Sequence, residues 1–261
     1  MPSKSKKLSK KLTAKNYYSK DNPYISSSKL KTFIKDKALY KRRYINYEPQ
    51  EKTDALIIGS AVDTLLTKGN KAFQSEFKVV DRRSSKEEDD RRMQLNPTMH
   101  DKVMDIVDSI KRQDIWNDLK RRHWKKQVIL KNDELGICGM LDFLQVNGDY
   151  AIIVDLKTSN TIDPKKYYWH CYEYDYFLQM AFYKTLVKTN YPEVELVKCY
   201  HLVVEKDSDE LYDCAVFQFD DEIIDNEAIY MRQQLKELRK EIEFKPKSVG
   251  WKDKILILPL S

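Results

Sequence analysis

Residues 139–157 read GMLDFLQVNGDYAIIVDLK, and the fold turns on how they pair. A first apolar run carries one carboxylate, Asp142. The dipeptide Asn147-Gly148 follows, and a second run, Ala151 to Val154, delivers Asp155 and Lys157. Asn-Gly between two apolar runs predicts a hairpin, because both residues accept the positive φ of a type I′ turn. Asp155 and Lys157 are two apart on a strand and so point to one side. If Asp142 leans toward them, two carboxylates and one ammonium converge. By itself the D-x-K spacing is a weak pattern, and an ordinary hairpin with a surface Asp–Lys pair also satisfies it.

Upstream, Tyr24 to Ser28 precede a run with Leu30, Phe33 and Ile34 at helical spacing, so the serines read as a helix N-cap. That N-terminus, with Ser28, Lys29 and Lys31, is also a candidate phosphate site. Residues 56–66 form a second helix. Gly59 and Ser60 allow a close neighbour there, and Asp63 is a charge on the wet face or aimed into a site. Residues 81–92 are almost all polar and predict an exposed loop, with a flap over a groove as the alternative. A helix over 97–119 and a strand over 124–130 lead to the hairpin.

Downstream, residues 167–177 are the most aromatic stretch, which favours core or subunit contact over base stacking. His170 has no second histidine or cysteine at ligand spacing and reads as a packing residue. The helix over 178–187 places Gln179 and Tyr183 on one face. Strands over 195–204 and 211–219 flank a turn at 207–209. An amphipathic helix then runs from Asp220-Asp221 to about Phe244, and 255–258 predicts an edge strand. The pattern is one α/β domain around a mixed sheet.

Composition narrows the class. The chain has 261 residues, 41% of them hydrophobic and 34% charged, enough for one sizeable core. No apolar run reaches the roughly 18–20 residues that span a bilayer. No apolar segment follows the lysine-rich start, so a cytoplasmic location is expected, that of a bacterial host if the gene is a phage's. Cys138, Cys171, Cys199 and Cys214 include no C-x-x-C pair, which points to reduced, packed thiols. Net charge is +6, yet residues 1–20 hold seven lysines and no acid, leaving −1 on residues 21–261. Residues 1–20 therefore read as a basic disordered tail, either solvated or holding nucleic acid, and 21–261 as the domain.

Two aspartates at strand ends suit Mg²⁺, a hard ion that favours oxygen ligands. A bound metal lowers the pKa of water and steadies charge on a phosphate. Lys157 beside it can position that water, although two carboxylates favour the charged lysine. Gln179 and Tyr183 can orient the lysine, the water or the phosphate.

Asp142, then Asp155-Leu156-Lys157 thirteen positions on, then Gln179-x-x-x-Tyr183, resembles the PD-(D/E)xK nuclease superfamily, in its RecB-like branch. The chain is most similar to the phage-type exodeoxyribonuclease VIII, or RecE, family. Ile25 to Leu30 matches an I-S-x-S-x-L helix, and Gly59 to Asp63 a G-[ST]-A-x-H helix. Asp155 to Thr158 matches D-x-K-T, and Tyr172 to Tyr183 a Y-x-Y-x-Y-x-x-Q-x-A-F-Y segment. The likeness runs in order over about 24–260.

The resemblance implies a restriction-endonuclease-like core, a central mixed sheet flanked by helices in a single domain. It implies a Mg²⁺- or Mn²⁺-dependent exonuclease that resects linear double-stranded DNA from a 5′ end for recombination or repair. Asp142, Asp155 and the Leu156 carbonyl would hold metal, with two ions when substrate is bound, and Asp63 would add a ligand. Lys157 would position the water, Gln179 and Tyr183 would support the site, and Ser28, Lys29 and Lys31 would hold phosphate. A homo-oligomeric ring around DNA and a single-strand annealing partner are implied, and no membrane. Two departures stand out: Asp63 replaces the family's histidine, and Gln127 replaces an acid on the preceding strand. A non-catalytic DNA-binding scaffold and a related endonuclease are the alternatives.

Overall fold

Several of the helices begin where the chain supplies a capping side chain. In this computed structural model, which describes residues 12–49, 51–81, 92–121, 123–206 and 212–243, α1 (Ala14–Tyr17) is one turn. Ser26 caps α2 (Ser27–Lys35) by accepting the Lys29 N–H, and Asp36 caps α3 (Lys37–Tyr40), which runs into a π turn over Lys41–Ile45. Thr53 caps α4 (Asp54–Thr67), followed by α5 (Asn70–Glu76). A small parallel pair, β1 (Phe77–Val79) and β2 (Met93–Leu95), precedes α6 (Pro97–Arg112) and α7 (Asp114–Leu119). Then come β3 (Lys125–Asn132), β4 (Ile137–Asn147), β5 (Tyr150–Ser159), α8 (Pro164–Glu173) and α9 (Tyr176–Asn190). The last elements are β6 (Leu196–Glu205), β7 (Cys214–Gln218) and α10 (Asp221–Glu243). Asn96 and Asp163 cap α6 and α8, each with proline in the first turn, where its missing N–H costs nothing.

The main sheet has the order β3-β4-β5-β6-β7. Only β5 and β6 run parallel, joined by α8 and α9, so the sheet is mixed as expected. Alternation along β5 divides the core. Ile153 faces one layer with Leu141, Val203 and the apolar residues of α2, α9 and α10. Val154 and Leu156 face the other, with Phe143, Leu202 and residues of α4 and α6. α9 lies between the sheet and α10 and is buried on nearly every side, including Met180, Ala181 and Phe182.

Several expectations are corrected. The hairpin turn centres on Gly148-Asp149, since Asn147 pairs with Tyr150, and of these residues only Gly148 takes positive φ, at 60°. That is the φ requirement of a type II′ turn, in which Asn147 stays in the strand. The helix over 97–119 breaks at Gln113, whose backbone is extended (φ −77°, ψ 143°), and the second piece turns Trp116 and Leu119 into the core. Residues 12–20 are not a free tail. Asn22 Nδ2 donates to the Tyr17 carbonyl at 2.6 Å and the Tyr47 hydroxyl to the Lys20 carbonyl at 2.9 Å, so main-chain carbonyls tie the segment to the domain. Residues 1–11, the polar stretch 82–91, the turn 207–209 and the edge strand 255–258 lie outside the described residues. Cys138, Cys171 and Cys199 are buried free thiols, and Cys214 is partly exposed. Among the described residues no helix is long and apolar enough to cross a membrane.

Gly139 sets how near α9 lies to β4. A Cβ there would come 2.7 Å from Leu186 Cδ1 and 3.1 Å from Tyr183 Cε1. Both neighbours are buried, so neither can swing away. Gly139→Ala is expected to cost about 1–3 kcal/mol through overpacking, read as a lower urea midpoint. An unchanged midpoint would show that α9 is not pressed against β4.

Candidate active site

The β4–β5 ladder runs from the turn to the Phe143–Val154 pair and stops where Asp142 and Asp155 would come opposite. Beyond that point β5 keeps its pairing with β6 as far as Ser159–Glu205, while its other edge is released. Asp142 fills part of the gap: its Oδ2 accepts the freed Leu156 N–H at 2.9 Å. On the far side of β4 the ladder also skips Gln127, which stands opposite Asp142 with φ of 49°. Positive φ in a residue with a side chain is unfavourable, and such strain concentrates at functional sites.

Gln127 uses that backbone to join two carboxylates. Its Nε2 donates to Asp142 Oδ1 at 3.1 Å and to Asp63 Oδ1 at 3.2 Å. Asp63 arrives on α4, from the helix layer across the sheet from α9. The other amide atom, Gln127 Oε1, is buried and has no hydrogen-bond partner.

Asp155 is 2% exposed. Its Oδ1 accepts Gln179 Nε2 at 3.1 Å, and its Oδ2 accepts the Lys157 ammonium. Gln179 also donates to the Tyr183 hydroxyl at 3.0 Å, which donates to the Met140 carbonyl at 3.0 Å. The orientation of the Gln179 amide is decided by Lys31. An ammonium can only donate, and Lys31 Nζ lies 3.1 Å from Oε1 and 2.9 Å from the Tyr174 carbonyl.

The electrostatics follow from burial and like charge. Burial, then Lys68 and Asp155 in opposition, leaves the Asp63 carboxyl raised to about 6. Burial, Asp155 and Asp63 push Asp142 well above the usual carboxylate range. Burial would lower Lys157, but Asp155, then Tyr176 and Asp142, outweigh it and hold the ammonium charged. Lys31 is pushed down to about 7 by burial and by Lys157. His201, on β6, falls well below its ordinary value through burial, Lys157 and Lys31, so its 3.8 Å approach to Asp155 is not an ion pair.

A cavity of about 510 Å³ opens onto Asp142, Asp155 and Lys157. Ser28 and Lys29 line it at the N-terminal end of α2, and Lys29 turns its ammonium to the Tyr24 and Asn22 carbonyls. Lys31 lies behind, on Gln179. A second cavity of about 490 Å³ reaches Asp63, Lys157 and Lys206 from the side of Leu156 and Thr158. The structure thus brings Asp63, Asp142, Asp155, Lys157, Gln179 and Tyr183 together. His170 packs instead, with Nδ1 3.3 Å from Ser159 Oγ. Two residues at the site give little sign of it in the sequence. His201 is a single histidine in a mostly apolar strand, and Tyr17 sits in the lysine-rich start yet lines the larger cavity.

Among the described residues no three His, Cys, Asp or Glu side chains close on one point. Gln127 stands between two of the acids, and Lys157 and Gln179 hold the third. The donor set nevertheless fits a hard divalent cation. Two of its carboxyls are pushed upward by burial and by neighbouring acids, and the buried Gln127 Oε1 is an oxygen without a partner.

A mixed sheet with helices on both faces, and an acid, an acid and a lysine where two strands part, defines a PD-(D/E)xK-type domain. The chain belongs to the family described as "PDDEXK-like domain of unknown function (DUF3799)", which matches residues 26–252. No curated protein matches it. Among solved structures, a chain described as "Putative exonuclease" from Eubacterium rectale superposes with a TM-score of 0.65 over 97% of each chain, at 19% identity. At that identity the likeness speaks for the fold alone. A "phage related exonuclease" from Haemophilus somnus 129PT gives a TM-score of 0.34 at 14% identity, over 84% of this chain and 96% of that one, too slight to bear on the fold.

Asp63 binds its proton more tightly folded than unfolded, so it subtracts stability as pH rises from its ordinary 3.8 through about 6. Asp63→Asn is therefore expected to stabilise the chelator-treated protein at pH 8 by about 1–3 kcal/mol, with the gain shrinking toward pH 4. Urea unfolding at the two pH values reads this, and an equal effect at both would refute it.

Proposed function

We propose that this protein is a metal-dependent deoxyribonuclease that hydrolyses phosphodiester bonds of linear duplex DNA as an exonuclease. The observation that carries the reading is the parting of β4 and β5 at Asp142 and Asp155, with Lys157 two residues on and the gap open to a cavity. The Eubacterium rectale chain of the same fold is described as a "Putative exonuclease".

Asp63, Asp142 and Asp155 would hold Mg²⁺ or Mn²⁺, with the Leu156 carbonyl and Gln127 Oε1 as further oxygens. The bound cation supplies acidified water and charge neutralisation at the phosphate. Lys157 keeps its proton beside Asp155, so its part is to orient the attacking water through a donated hydrogen bond, not to remove a proton from it. Gln179 fixes Asp155, and Tyr183 fixes Gln179 against β4. Ser28 and Lys29 sit where the N-terminal end of α2 meets the cavity and would hold a phosphate of the strand. Lys31 would act through Gln179.

Resection from a 5′ end, a ring of copies around DNA, and delivery of the single strand to an annealing protein rest on the RecE-like motifs. One observation favours a non-catalytic DNA-binding scaffold: Gln127 occupies an acid's place and bridges two carboxylates that a cation would otherwise join.

End-labelled linear duplex and covalently closed circles, each with Mg²⁺ or Mn²⁺, separate the readings. The linear DNA should shorten and the circles survive, and Lys157→Ala, which removes one positioned donor, should slow the reaction about 10²–10³-fold. Nicked circles would indicate an endonuclease. Intact linear DNA, unchanged by Asp155→Ala, would leave the scaffold.

A further inference from the structure

His201 lies in the middle of β6 and is fully buried. The parallel register sets it directly beside Asp155. Its ring is walled by aromatics: Phe219 at 4.6 Å and Tyr176 at 5.1 Å between centroids, both edge-on. Nδ1 faces the Tyr167 hydroxyl of α8 at 2.6 Å. Nε2 has no hydrogen-bond partner and looks at Asp155 Oδ2 from 3.8 Å, beyond hydrogen-bond reach.

The tautomer follows from two independent considerations. A neutral imidazole carries one N–H. Were it on Nδ1, it would point at the tyrosine oxygen, the buried phenol proton would lose its closest acceptor, and the Nε2 lone pair would face a carboxylate. With Tyr167 donating to Nδ1, the hydroxyl is satisfied and the remaining N–H aims at Asp155. An unmade bond at this point is costly for a buried donor unless a small movement completes it.

Such a movement is built into the proposed chemistry, on which this inference rests. In the free protein Asp155 Oδ2 is held by Lys157. When Lys157 turns to water or phosphate, Oδ2 loses that donor, and a closure of about 0.9 Å onto Nε2–H restores one at ordinary length. We propose that His201 is a positioning residue for Asp155, and that the Tyr167 hydroxyl sets its tautomer, so that the carboxylate stays aimed when Lys157 leaves it. Outer partners of this kind commonly change metal affinity about 10–100-fold.

The test uses the full chain and Mn²⁺ alone as probe. A long-range ¹H–¹⁵N spectrum of wild type should show His201 protonated at Nε2, and Tyr167→Phe should shift it toward a mixture. By calorimetry, His201→Leu and Tyr167→Phe should weaken Mn²⁺ binding about 10-fold. His201→Gln, which returns an N–H near the same place, should recover most of it. An Nδ1–H tautomer in wild type overturns the proposal, as does wild-type Mn²⁺ affinity in Tyr167→Phe, a variant that loses only a hydroxyl and is unlike His201→Leu in that it leaves the packing in place. A wild-type chain that binds no Mn²⁺ overturns the nuclease reading and with it the use made of Asp155, so the two failures are distinct.

Discussion

A carboxylate buried inside a sheet must be compensated, and Asp155 is the one around which this structure is arranged. Its charge is met by the Lys157 ammonium from its own strand and by Gln179 from the helix above. Losing one partner of such a pair costs about 3–5 kcal/mol, because the other charge is left buried alone. The requirement propagates outward. Gln179 is held by Tyr183 and Lys31, Tyr183 is held by the Met140 carbonyl, and α9 can come close enough only because residue 139 has no side chain. One buried charge thus links β4, β5, α2 and α9.

The other two carboxylates make the same place unfavourable. Asp63 and Asp142 reach it from different elements and are drawn together by one amide. Their raised pKa values follow from burial first and from the charge of neighbouring acids second. A protein selected for stability alone would not place three acids, a strained glutamine and two orphaned polar atoms where two strands part. The stability given up there is what a divalent cation would restore, since it brings positive charge to three acids.

The fold carries less information than the site. The Eubacterium rectale structure shares the architecture at 19% identity, and the family to which this chain belongs is defined as PDDEXK-like without an assigned function. One architecture hosts many chemistries, so the functional reading stands on Asp142, Asp155 and Lys157 and their surroundings.

Local sequence was enough for the elements that local physics decides. Apolar runs on either side of Asn147-Gly148 predicted β4 and β5, the serines before Leu30 marked the start of α2, and the i, i+4 spacing of Gln179 and Tyr183 placed them on one face of α9. The motif order placed Asp63, Asp142, Asp155 and Lys157 in one family-like set. What sequence could not decide depends on register between distant strands and on backbone release. The end of the β4–β5 ladder at the two aspartates, the positive φ of Gln127 and the ordered turn at Tyr17 are outcomes of packing. His201 is the clearest case. Forty-six residues from Asp155 and alone among apolar neighbours, it acquires meaning only from the parallel pairing of β5 with β6, which a strand cannot specify without its partner.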